Sequence, residues 1–133
     1  MTIKFSKLQG VDPAVAQALK GAGLDSSEQL IAVASTPHER RDLSKRLGIS
    51  EKILLDLVNR ADIARIEGIG KIYSDLLEFA GVDTIAELSN RNHRNLHAKI
   101  KEVAEKHHVR RTPNPATVED WVEQAKELGK SIS

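Results

Sequence analysis

Apolar residues recur at three- and four-residue intervals through most of the chain, and nowhere alternate with polar ones over a stretch long enough for a strand. In "GISEKILLDLVNRADIARI" the residues Ile53, Leu54, Leu57, Val58 and Ala61 mark one helical stripe, and Ser50 stands before it as N-cap. Asp12-Pro13 reads as an N-cap followed by proline at the first helical position, where its missing N–H costs nothing. That helix runs to Gly21 or Gly23, since glycine adopts the left-handed C-cap conformation readily. A short helix follows from Ser26 or Ser27 to about Ala34, and Thr36 opens another over Pro37–Leu47. Later in the chain the same signals predict helices near 70–80, 84–90, 91–107 and 116–129. The predicted fold class is all-α.

The pattern also repeats. Displaced by 58 positions, "LQGVDPAVAQALKGAGLDSSEQL" (8–30) aligns without a gap on "IEGIGKIYSDLLEFAGVDTIAEL" (66–88). Gly10 then meets Gly68, Leu19 meets Leu77, and Ala22-Gly23 meets Ala80-Gly81. "LDLVNRAD" (55–62) resembles "EDWVEQAK" (119–126) at a displacement of 64, so the second copy carries six extra residues near "HHVRRTPNPA". The period is longer than that of common solenoid repeats. Trp121 falls on Leu57 and is expected in the core, where its indole N–H needs a partner.

Composition narrows the function classes. A chain of 133 residues, 40% hydrophobic and 29% charged but only 3% aromatic, suits small helices packed closely. Having no cysteine, it forms no disulfide, thiolate metal site or cysteine nucleophile, which agrees with a cytoplasmic location. No apolar run is long enough for a signal peptide or membrane span. The net charge of +1 hides a polarised distribution. Between Arg91 and Arg111 seven Lys/Arg (Arg91, Arg94, Lys99, Lys101, Lys106, Arg110, Arg111) face only Glu102 and Glu105. Four of the five histidines lie in the same segment. The repeat and the polar tail "KELGKSIS" suggest a complete chain.

"IEGIGKIYSDLLEFAGVDTIAEL" resembles the hairpin of the helix-hairpin-helix superfamily, of the form apolar-x-Gly-apolar-Gly before a helix. "LQGVDPAVAQALKGAGLDSSEQL" is similar, with Asp12 replacing the second glycine, and "RLGISEKILLDLVNRA" resembles a further hairpin with Ser50 in that place. "VRRTPNPATVEDWVEQA" diverges most and has no glycine. The layout also resembles a bacterial family of tandem helix-hairpin-helix proteins of unassigned function. The resemblance implies a SAM-like small helical bundle of two duplicated units, 1–65 and 66–133, packed as one compact body. It further implies that paired hairpins grip duplex DNA by its phosphates without reading sequence.

The chemistry of such a grip lies in the backbone. Gly68 and Gly70 lack a Cβ, so a phosphate oxygen can approach the main chain. Amides at the start of the following helix have no intrahelical acceptor and sit at its partly positive end. Lys71 adds a full charge, while Ile66 and Ile69 would anchor the turn. The same glycines are equally what two closely crossing helices require, so both uses stand. At Gly48 and Ser50 a cap and a phosphate donor are again alternatives. Arg94, Lys99, Arg110 and Arg111 are the basic-flank candidates for backbone contact, against a plain solvated helix face. Tyr73 could offer its hydroxyl or simply pack.

His93 and His97 are spaced like paired metal ligands on a helix, but no third ligand follows from spacing, so no metal or cofactor is assigned. No catalytic constellation is visible, and Gly68-Ile69-Gly70 is not followed by the Lys-Ser/Thr of a nucleotide-binding loop. Two readings result: a non-catalytic duplex-backbone binder, or a protein–protein interaction module that kept the scaffold and lost phosphate. Neither membrane association nor an oligomeric state is indicated.

Overall fold

Among the described residues of a computed structural model of the chain, seven of eight helices begin behind a side chain that caps them, which explains why their starts are so legible. The structure describes residues 12–129. Among these, all regular structure is helical: α1 (Pro13–Gly21), α2 (Ser27–Ala34), α3 (Pro37–Leu47), α4 (Glu51–Ile63), α5 (Lys71–Phe79), α6 (Ile85–Ser89), α7 (His93–Lys106) and α8 (Pro115–Leu128). The hairpin expected at Gly10 and the end of the polar tail lie outside the described residues. The chain divides into two units, with the break between Arg65 and Ile66.

In the first unit α2 packs against α3 and α4, and α3 against α4. Leu19, Leu30, Ala34, Leu43, Ile49, Leu54, Leu57 and Val58 form its core. Each fully buried aliphatic side chain contributes about 1.5–3 kcal/mol of transfer free energy, so a handful of leucines outweighs any cap. The buried stripe of α4 is Leu54, Leu57, Val58 and Ala61, with Asp62 and Ile63 also covered. Ile53, which its spacing places on that stripe, is 42% exposed. It stands just past the edge of the buried arc, about 40° beyond Leu57 on the side away from Val58. Arg40 is buried and donates from Nη1 to the Ala34 carbonyl at 3.0 Å, satisfying an orphan acceptor at the end of α2.

The second unit packs α8 on α6 and α7, and α5 on α7. Its buried residues include Leu76, Leu77, Ile85, Leu88, Leu96, Ile100, Val118, Trp121 and Val122. Helix ends recur at positions 58 apart. After α1, Gly23 has φ 83° and the Leu24 amide donates to Leu19 O at 2.9 Å; after α5, Gly81 has φ 88° and Val82 donates to Leu77 O at 2.8 Å. Both are Schellman endings, with the apolar residue after the glycine turned inward. Ser26 and Thr84, also 58 apart, then cap α2 and α6. At the end of α7 the left-handed position is occupied by His108 at φ 58°, where Val109 closes onto Ala104 O at 2.8 Å.

Candidate anion site at the glycine hairpin

Helix α5 starts differently from the others. Its N-cap is Gly70, which has no side chain to accept a hydrogen bond. The intrahelical ladder begins at Ser74, whose amide donates to Gly70 O at 2.9 Å. The amides of Lys71, Ile72 and Tyr73 are therefore left as the open, partly positive end of the helix. At Asp12, 58 positions earlier, Oδ1 accepts from the Ala14 amide at 2.7 Å. One residue difference, Asp against Gly, closes one helix start and opens the other.

The turn leading into α5 is held from below. Ile66 and Ile69 are buried, at 1% and 5% exposure. Gly68 has φ 91°, a conformation an L side chain adopts only with strain. A Cβ there would stand 3.5 Å from Trp121 Nε1. Beside it Gln124 of α8 clamps the turn in both directions: the Glu67 amide donates to Gln124 Oε1 at 2.9 Å, and Gln124 Nε2 donates to Glu67 O at 3.2 Å. Nε2 also donates to Asp120 Oδ2 at 2.8 Å, which fixes the orientation of the amide.

Above this floor is a stack of rings and charge. Tyr73 lies 5.2 Å from Trp121, centroid to centroid, tilted by 56°. The Arg111 guanidinium carbon lies 5.4 Å from the Tyr73 ring centroid, a cation–π distance. Gly68, Gly70, Lys71, Ile72, Tyr73 and Arg111 line a cleft of about 330 Å³. No carboxylate is among them. Such an arrangement can hold an anion: three free amides, a lysine, an arginine and a concave wall.

The other sequence candidates are distributed differently. Ile69 is a buried anchor. Gly48 ends α3 in the left-handed conformation at φ 68°, and Ser50 caps α4 by accepting from the Ile53 amide at 3.1 Å; both belong to the first unit. Arg94, Lys99, Lys101 and Lys106 are exposed along α7, with Lys99 3.5 Å from Glu102. At about 100° per residue Arg94 and Lys101 share one side of α7, and Lys99 and Lys106 another. Arg91 turns inward, donating to Ala80 O at 3.4 Å. Arg110 is exposed and does not line the cleft. Of the basic flank, Arg111 alone is brought to the hairpin.

Among the described residues no group of three His, Cys, Asp or Glu side chains could hold a metal ion, and no helix is long and apolar enough to cross a membrane. Spacing did not reveal the Arg111–Tyr73–Trp121 stack or the Gln124 clamp. Both join segments far apart in sequence, and the only hint was tryptophan standing where the first repeat has Leu57.

The sequence profile of a domain of unknown function, DUF4332, matches residues 9–128. The chain belongs to that family. The match begins before α1 and ends with α8, so it takes in all eight helices of this DUF4332 chain among the described residues. No curated protein and no solved structure matches the chain.

Proposed function

We propose that this DUF4332 chain is a non-catalytic nucleic-acid-binding protein that grips the backbone of duplex DNA, in the manner of a helix-hairpin-helix module, without reading base sequence. The observation that carries this reading is the uncapped start of α5 opening into a cleft walled by Lys71 and Arg111. Phosphate is the anion that amides at a helix N-terminus and paired cations recognise well. The exposed lysines and arginines of α7 add a diffuse attraction that needs no fixed geometry. Contacts of both kinds position a protein on nucleic acid but carry no direct sequence information.

Equilibrium binding to a short random duplex across a salt series tests the proposal. Affinity should fall steeply with salt, with a log–log slope of about −0.9 for each phosphate neutralised. Arg111→Ala should reduce that slope by about one unit. Absence of binding at low salt would overturn the reading. One observation favours a protein partner instead: Ile72 and Phe79, seven residues apart on one side of α5, are 42% and 45% exposed. A partner docked there would bind with little dependence on salt.

A further inference from the structure

We infer that His93 and His97 form a two-histidine chelate for a divalent transition-metal ion of the copper, nickel and zinc group, complete within one chain. The pair lies on α7, does not line the Gly68–Lys71 cleft, and is independent of the backbone-binding reading.

Helix geometry sets the two ligands at a usable span. A residue and the fourth one after it lie about 40° apart around an α-helix, with Cβ atoms about 5–6 Å from each other. One ion that takes imidazole nitrogens at about 2.0–2.1 Å can be shared across that span. Both positions fall inside regular helix, since α7 runs over His93–Lys106. The pair borders the stripe of Leu96, Ile100 and Ala104 that α7 buries, and both histidines are half-buried. Packing therefore removes part of their rotamer freedom before an ion arrives, which lowers the entropy cost of holding it.

Neither imidazole is committed elsewhere. Among the described residues neither makes a hydrogen bond, ion pair or ring contact. No fully enclosed side-chain nitrogen among them lacks a partner, so the ring nitrogens of this pair are open to solvent. The first-turn amides of α7 do not need them either: Asn92 Oδ1 accepts from Arg94 at 3.0 Å and from Asn95 at 3.1 Å. That cap also offsets part of the positive helix end, which would otherwise oppose a cation. The histidines at the far end of α7 are placed differently. His107 and His108 are adjacent in sequence and so share no face, and the His107 ring stacks on Phe79 at 3.9 Å between centroids.

The donor type selects the ion. Imidazole suits copper, nickel and zinc, whereas magnesium and calcium take oxygen ligands. Among the described residues no third His, Cys, Asp or Glu completes the set, so water fills the remaining positions on the ion. The nearest charged neighbours on the same side of α7, Arg94 and Lys101, are cations. Affinity must then come from the two coordinate bonds and not from the surrounding field.

Isothermal titration calorimetry on the untagged full chain with Cu2+, Ni2+, Zn2+ and Mg2+ tests this, at a pH where imidazole is neutral. One ion should bind per chain, Cu2+ most tightly, with no binding of Mg2+. His93→Ala and His97→Ala should each weaken Cu2+ binding about tenfold to a hundredfold, because the second ligand then no longer closes intramolecularly. His107→Ala should leave it unchanged, and circular dichroism verifies that each variant is folded. In the wild type, Zn2+ should shift the ring NMR signals of His93 and His97 together, a readout that needs no variant. A shift of only one ring, or equal Cu2+ affinity in the wild type and both variants, would overturn the chelate. Mg2+ binding as tightly as Zn2+ would mark an oxygen site and overturn the ligand class. No Cu2+ binding in the millimolar range would overturn the inference outright.

Discussion

Gly70→Asp should make the protein more stable and worse at binding phosphate. Gly70 is extended, at φ −98° and ψ −162°, so no left-handed conformation resists a side chain. A Cβ built there meets no atom within 4 Å. The carboxylate can then do what Asp12 does at α1, accepting from an amide of the first turn. Replacing glycine by aspartate at an N-cap gains a few tenths of a kcal/mol. A negative charge beside the helix start adds about 0.3–1 kcal/mol, and the reduced freedom of the unfolded chain adds about 0.4–1 kcal/mol. The sum is about 1–2 kcal/mol of stabilisation, readable as a rise in Tm. The same carboxylate occupies amides that phosphate would use and brings a like charge to it. Losing one charge-assisted hydrogen bond costs about 1.5–3 kcal/mol, a loss of about tenfold to a hundredfold in affinity. Thermal denaturation and duplex titration, run on the same sample, check both halves. A variant that is stabilised yet binds like the wild type would refute the amide grip, and one that loses stability would refute the capping argument. Gly70→Asn separates charge from capping, since it caps without repelling and should lose less affinity.

Three further outcomes follow from the geometry around the hairpin and its unit. Gly68→Ala should destabilise by about 1–2 kcal/mol in chemical denaturation, since φ 91° is strained for any side chain although the contact with Trp121 is an ordinary 3.5 Å. Gln124→Ala should cost about 1–2 kcal/mol by releasing two hydrogen bonds to the Glu67 backbone, and should speed amide exchange at Glu67 and its neighbours, which hydrogen-exchange NMR would detect. His108→Gly should stabilise by up to about 1 kcal/mol by relieving the left-handed strain at φ 58°, seen as a higher denaturation midpoint.

The helices were readable because their boundaries are local chemistry. Asp12, Ser26, Thr36, Ser50, Thr84, Asn92 and Asn114 each cap a helix within three residues of themselves, so nothing distant is needed to place them. The Schellman endings at Gly23 and Gly81 are equally local. The exposure of Ile53 was not readable, because neighbouring apolar residues are separated into buried and exposed only by which arc of α4 meets α2 and α3.

The site divides along the same line. From sequence came the glycines, Lys71 and a basic flank of seven cations; which cation stands at the glycines did not. Folding turned Arg91 onto a carbonyl and placed Arg111 over Tyr73. It also set Trp121 beneath Gly68 and Gln124 against Glu67, across 57 residues of chain in the latter case. Sequence alone determined the all-helical architecture and the open start of α5, because propensity, capping and periodicity act within a turn or two. Tertiary structure decided which charges and rings face that start, because side chains from separate segments meet only once their helices have packed.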